Sequence, residues 1–141
     1  MRATITIKEY AQAVQTLLPV AMSDTGQSRI CAQVLLSAYN GNNFQLDVSA
    51  LGGLDCSLFE AAIIVIQGRT DCRTEPHELV PYGDRLFMNL HEDWIRLHVK
   101  QRHKVRCPQC DGYGRVYDAD DRDTGKCSRC EGDGRICSCG A

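Results

Sequence analysis

The chain of 141 residues has no long apolar run and no recognisable leader segment. Its longest apolar stretch, Ala61 to Ile66, is far shorter than the roughly 20 residues that cross a bilayer, so it fits a buried element. The first residues alternate between polar and apolar side chains and lack the apolar core of a secretory signal. We therefore expect a cytoplasmic protein with no membrane partner, in which the nine cysteines stay reduced.

The sequence also lacks the familiar constellations of enzymes. It has no nucleophile elbow, no phosphate-binding loop and no Gly-x-Gly-x-x-Gly after a strand. Asp24-Thr25-Gly26 matches the tripeptide of aspartic proteases, but those enzymes use a pair of carboxylates in β-loops, whereas Asp24 precedes a helical pattern. We interpret Asp24 as a helix N-cap and predict that the protein is not an enzyme.

Cysteine is abundant and patterned near the C-terminus. Residues 107–114 and 127–134 both have the form Cys-x-x-Cys-x-Gly-x-Gly. Each repeat brings two thiolates about one turn apart, and four thiolates at roughly 2.3 Å from one point make a closed structural zinc site. Disulfides are the alternative, but they are rare where thiols stay reduced. A redox Cys-x-x-Cys needs a thioredoxin-like context, which is absent, and a catalytic zinc needs an open position.

The paired repeats resemble half of the cysteine-rich domain of DnaJ-type co-chaperones, which carries four such repeats and two zincs. The same half-unit is found in lambdoid phage antitermination proteins. The resemblance implies one zinc per chain, bound by Cys107, Cys110, Cys127 and Cys130. The chain has no His-Pro-Asp tripeptide of a J-domain and no Gly/Phe-rich linker, so a full co-chaperone is excluded.

The apolar periodicity ahead of the repeats predicts four helices. We expect these helices to be capped at Thr6, Ser23–Thr25, Asp55 and Asp84. We expect the first helix to bend or end at Pro19, and the second and third to end at Gly41 and Gly68. The third segment is apolar nearly all round, and its β-branched run also permits a buried strand. The predicted fold is mainly α, with a small helical bundle over residues 1–103 and a β-hairpin zinc-knuckle module with a short tail over residues 104–141.

A second resemblance covers about the first two thirds of the chain. Residues 24–28 read Asp-Thr-Gly-Gln-Ser and are followed by Leu35-Leu36 and Tyr39-Asn40. This order is similar to a small bacterial and phage domain of unknown function. The resemblance supplies no activity, but it implies an origin in a bacterium or mobile element.

The remaining cysteines and histidines suggest ordinary structural roles. We interpret Cys31 and Cys56 as core residues, because they lie in apolar helical segments, and Cys72 as partly exposed. The spacing of seven between His91 and His98 does not suit a metal pair. We expect His77 to lie in a loop. Cys137 and Cys139 fit a reduced, exposed tail, with a second metal or redox site as the alternative.

The net charge of −2 is divided unevenly. Through Trp94 the chain has six Lys+Arg against eleven Asp+Glu, and from Ile95 onward it has ten against seven. The candidate nucleic-acid contacts are Arg102, Lys104 and Arg106, because they flank the knuckles and we expect them to be free of adjacent carboxylates.

Three functions follow from these patterns. The first is a non-enzymatic zinc-binding adaptor or inhibitor from a bacterium or mobile element that binds a protein partner. The alternative is a nucleic-acid-binding regulator of the phage antiterminator kind. The third is an enzyme whose site a single sequence does not display.

Overall fold

The computed structural model describes residues 2–102 and 104–137 and is mainly helical. Within these residues it has four α-helices: α1 Ile7–Ala21, α2 Ser28–Tyr39, α3 Cys56–Cys72 and α4 Gly83–Asp93. Short 3₁₀ turns lie at Val48–Gly53, Pro76–Leu79 and Ile95–Leu97. Four short strands follow: β1 Lys104–Arg106, β2 Arg115–Tyr117, β3 Asp123–Lys126 and β4 Arg135–Cys137. The predicted fold class, mainly α with a C-terminal antiparallel hairpin region, is confirmed.

The chain divides into two compact units, Met1–Val99 and Lys100–Ala141. In the first unit, α1 packs on α2 and α3 around one apolar core. The largest fully buried side chains there include Tyr10, Leu17, Leu35, Phe44 and Phe87. The α4 helix contributes Phe87 and Leu90 to this core.

The first helix begins as predicted but does not end as predicted. Thr6 Oγ1 accepts a hydrogen bond from the Glu9 amide at 3.2 Å, and Glu9 Oε2 accepts one from the Thr6 amide at 2.8 Å. This is the expected capping box. The helix continues past Pro19 to Ala21, so the predicted end is wrong. Pro19 and Gln15 both lie on the exposed side, where water can bind the carbonyl that the proline leaves without a donor.

The third helix also runs further than predicted. Asp55 caps it by accepting a hydrogen bond from the Leu58 amide at 2.9 Å, as expected. The helix then passes through Gly68 and ends at Cys72. A Cβ on Gly68 would lie 2.5 Å from Cγ of Tyr10, so the glycine serves helix packing rather than helix termination. The helical conformation also excludes the alternative of a buried strand.

Two predicted caps are wrong. Helix α2 begins at Ser28 with Gln27 as its N-cap, so Asp24 does not cap it. The Thr25 amide instead donates to Ser28 Oγ at 2.9 Å, which forms a turn ahead of the helix. Helix α4 begins one residue before Asp84, because the chain enters it through a left-handed residue at Tyr82.

The second unit consists of two small antiparallel ladders. Strand β1 pairs with β4, and strand β2 pairs with β3. Each Cys-x-x-Cys knuckle therefore lies between two strands that belong to different ladders. Val116 and Ile136, the middle residues of β2 and β4, pack against the four buried cysteines.

Candidate metal centre

The structure brings the four predicted ligands together. Their sulfur atoms all lie within 4.8 Å of one another, and all four residues are buried. The Sγ atoms of Cys107 and Cys127 are 3.9 Å apart, and those of Cys110 and Cys130 are 3.7 Å apart. A tetrahedron with metal–sulfur bonds of roughly 2.3 Å has edges of about 3.8 Å. The cluster therefore has the donor set and the size that a tetrahedral metal ion requires.

The two knuckles are close copies of each other. Their first glycines have φ of 86° at Gly112 and 87° at Gly132, and their second glycines have φ of 77° at Gly114 and 79° at Gly134. A Cβ on Gly114 would lie 2.5 Å from the carbonyl oxygen of Gly132, and one on Gly134 would lie 2.5 Å from that of Gly112. The glycines are thus required both by the left-handed backbone and by the close approach of the knuckles.

Backbone amides point at the sulfur atoms and hold the knuckles together. Gly114 donates its amide hydrogen to Cys110 Sγ, and Gly134 donates to Cys130 Sγ, both at 3.2 Å. The Cys107 amide donates to the Gly134 carbonyl, and the Cys127 amide to the Gly114 carbonyl, both at 2.9 Å. Such bonds orient the ligands and spread the charge of a thiolate.

The thiols of one knuckle have different pKa values. Burial raises the pKa of the Cys110 thiol to about 11. Burial also acts to raise the pKa of Cys107, but hydrogen bonds from the amides of Cys110 and Gln109 and from the thiols of Cys110 and Cys127 together lower that pKa to about 7. Because a thiol must lose its proton to bind a metal, occupation of the cluster releases protons.

The candidate nucleic-acid contacts are not free of carboxylates. Lys104 Nζ lies 2.7 Å from a carboxylate oxygen of Asp133, and Arg106 Nη1 lies 3.6 Å from one of Asp111. Both acidic residues belong to the knuckle turns, which bring them back to the strand β1. The expectation of cations free of carboxylates is therefore wrong for Lys104 and Arg106. Arg102 lies at the exposed surface.

The other cysteines follow the prediction only in part. Cys31 is buried, and burial raises the pKa of its thiol to about 11. Cys56 is exposed, which corrects its interpretation as a core residue, because it is the first residue of α3 and faces solvent. Cys72 is half-buried and donates to the Ile5 carbonyl at 3.5 Å. Cys137 is disulfide-bonded rather than part of a reduced tail. Cys139 lies outside the described residues.

The histidines pack against aromatic rings. The rings of His91 and His98 are 6.2 Å apart, and each meets the ring of Phe44 edge-on. Within residues 2–102 and 104–137, the four cysteines form the one group with the arrangement of a metal site. His77 lies in a 3₁₀ turn with its two nitrogens 3.4 Å from carboxylates of Glu75 and Asp84.

Four cations flank the two repeats, and the sequence analysis singled out only Arg106 among them. Arg106 and Lys126 immediately precede the first cysteine of each repeat, and Arg115 and Arg135 immediately follow the second glycine. A cation at both ends of each Cys-x-x-Cys-x-Gly-x-Gly repeat is visible in the sequence and could have identified all four. Its meaning depends on strand register, which the sequence does not display.

The fold and the site define a small, mainly helical protein that carries a buried four-cysteine cluster. Residues 11–95 match the model of a family of unknown function (DUF7673), and the chain belongs to this family. Neither a curated protein nor a solved structure matches the chain. The match begins within α1, covers α2–α4 and stops before the knuckles, so it assigns neither an activity nor a metal.

None of the helices in the described ranges combines the length and the apolar character that a membrane span requires.

Proposed function

We propose that the chain is a non-enzymatic zinc-binding adaptor or inhibitor that acts in the cytoplasm by binding a protein partner. The observation that carries this proposal is the buried four-cysteine cluster, whose sulfur spacing suits a tetrahedral ion. Four thiolates fill a tetrahedral coordination sphere and leave no position for a substrate. The metal then stabilises the fold of the second unit rather than taking part in a reaction.

The choice of zinc rests on the donor set. Tetrahedral four-sulfur sites hold zinc or iron, and closed sites of paired Cys-x-x-Cys knuckles are typical of structural zinc. The resemblance to half of a DnaJ-type domain and to phage antitermination proteins supports the same metal. It also supports an origin in a bacterium or mobile element.

A partner surface is available on the helical unit. Met88 and Ile95 are 61% and 45% exposed, although both are apolar. Together with Tyr39, His91 and Glu92 they line a groove of about 530 Å³. A groove with exposed Met and Ile side chains is the kind of surface that a protein partner covers, since methionine adapts its shape to a bound chain.

Affinity capture with matched variants tests the adaptor function. The zinc-loaded chain is used as bait beside Met88→Glu and, as the control, Met22→Glu, which changes another exposed methionine outside the groove. We expect a stoichiometric partner that the wild type and Met22→Glu retain and Met88→Glu loses. Equal capture by all three baits would show that the groove is not the partner-binding surface. The absence of any stoichiometric partner would reject the adaptor function.

Nucleic-acid binding is the second candidate, because two aromatic side chains of the second unit are exposed. Tyr113 is 76% and Tyr117 is 51% exposed, and bases stack on such rings in proteins that bind single strands. The carboxylates beside Lys104 and Arg106 oppose it. A mobility-shift assay with single-stranded RNA at low salt decides between the candidates. Binding that falls log-linearly with salt would favour nucleic acid, and no binding would favour the protein partner.

A further inference from the structure

Cations occupy matched positions around the four-cysteine cluster. Arg106 and Arg135 are direct partners in the β1–β4 ladder. Arg115 and Lys126 are direct partners in the β2–β3 ladder. Like charges directly opposite each other destabilise an antiparallel pair. Both ladders repeat this arrangement next to the cysteines, so a nearby negative charge is needed to offset it.

Carboxylates offset only part of this charge. Arg115 forms an ion pair with Asp123. Arg106 faces Asp111 at 3.6 Å, with both side chains about three quarters exposed. Arg135 donates to the backbone carbonyl of Lys104 at 2.6 Å. No ion pair within the described residues includes Lys126.

Two of the four side chains lie across the knuckles. Cγ of Arg106 is 2.9 Å from the position that a Cβ on Gly112 would occupy. Cδ of Lys126 is 3.1 Å from the corresponding position on Gly132. The aliphatic parts of both side chains therefore pack on the knuckle turns, whose amides point at the sulfur atoms. They can lie this close because Gly112 and Gly132 have no side chain. This placement keeps the two charges beside the knuckles, while the side chains themselves remain exposed to solvent.

The metal-loaded cluster supplies the missing negative charge. Four thiolates around a divalent ion carry a net charge of about −2. We propose that Arg106, Arg115, Lys126 and Arg135 form a cation ring that offsets this charge and so raises the affinity of the cluster for zinc. This inference rests on the proposed zinc-binding function. The ring acts through electrostatics and coordinates nothing itself.

Neutralising two members of the ring tests the proposal. The dissociation constant for zinc is measured by competition with a chelator of known affinity, for the wild type and for the double variant Arg106→Gln/Lys126→Gln. We expect the variant to bind zinc about tenfold more weakly at low salt, as for other groups that support a ligand shell. The difference should shrink as salt is added, because the side chains are exposed and screened.

Two controls separate charge from packing. The double variant Arg106→Lys/Lys126→Arg keeps both charges and should bind zinc as tightly as the wild type. Arg122→Gln removes an exposed cation from the β2–β3 connection and should change little. The ring is rejected if the Gln variant binds like the wild type, if its loss does not depend on salt, or if the charge-conserving swap loses as much affinity. A wild type that binds no zinc would instead reject the proposed function.

Discussion

Gly68 shows how a single residue without a side chain fixes the packing of two helices. Tyr10 of α1 is fully buried against it, and the Tyr10 hydroxyl donates to the Thr74 carbonyl at 2.9 Å. Burial raises the pKa of this hydroxyl well above its ordinary value, so the hydroxyl keeps its proton and can donate at neutral pH. A glycine that suggests a helix end in the sequence is thus a contact between α1 and α3.

Gly68→Ala should therefore destabilise the helical unit. The added methyl group meets the ring of Tyr10 at 2.5 Å, and overpacking of this kind costs about 1–3 kcal/mol. Chemical denaturation followed by circular dichroism measures the loss. Gly26→Ala is the matched control, because a Cβ there has no atom within 4 Å. Equal midpoints for the two variants would contradict this packing.

At the scale of elements, hydrogen bonds to the Asp71 carboxylate hold the segment before α1 against α3. Arg2 donates to both oxygens of Asp71, at 2.9 Å and 2.6 Å, and the Ile5 amide donates to Asp71 Oδ2 at 2.9 Å. The Arg2 hydrogen bonds, and then the Ile5 amide, lower the pKa of Asp71 to about 2. Protonation of this carboxylate would release the segment.

The contribution of these Asp71 hydrogen bonds to stability should be lost at low pH. Because the folded pKa of Asp71 lies below its unfolded value of about 3.9, its contribution is present above that value and is lost as the pH falls through about 2. In hydrogen exchange at neutral pH, Asp71→Asn should expose the Ile5 amide while α3 stays protected. Asp24→Asn, a change at an exposed turn residue, serves as the control. Unchanged protection of the Ile5 amide in Asp71→Asn would contradict the claim that Asp71 holds this segment.

Local signals predicted the elements well where the deciding contact is close in sequence. The capping residues Thr6 and Asp55 bond amides three positions away, and the Cys-x-x-Cys spacing itself places two sulfurs together. The predicted helix ends at Pro19 and Gly68 were wrong. Pro19 is tolerated within α1 because it lies on the exposed side, and Gly68 is required within α3 because Tyr10 packs against it. Lys104 was expected to be unpaired, but its partner Asp133 is 29 positions away and is brought near only by the knuckle fold.

At the scale of the whole molecule, the two units have different sources of stability. The helical unit has one apolar core of large side chains. In the described part of the second unit, four cysteines are buried and Val116 and Ile136 alone are the hydrophobic side chains packed against them. So small an apolar contribution leaves the fold of this unit dependent on the metal, since binding free energy is then folding free energy.

Chelation should therefore unfold one unit and spare the other. With the metal removed, the amide signals of residues 104–137 should collapse towards random-coil positions, while the helical circular dichroism stays nearly unchanged. Re-addition of zinc should restore the dispersed signals. A large loss of helical signal on chelation would show that the two units share their stability, against the predicted division into 1–103 and 104–141.

The metal content of the purified chain tests the central claim most directly. Elemental analysis should give close to one equivalent of zinc for the wild type and less than about a tenth of that for Cys107→Ser and for Cys130→Ser, because loss of one thiolate opens the closed site. Cys31→Ser, which changes a buried cysteine of the helical unit, should keep the full equivalent. Full zinc in both ligand variants, or iron in place of zinc, would contradict the account.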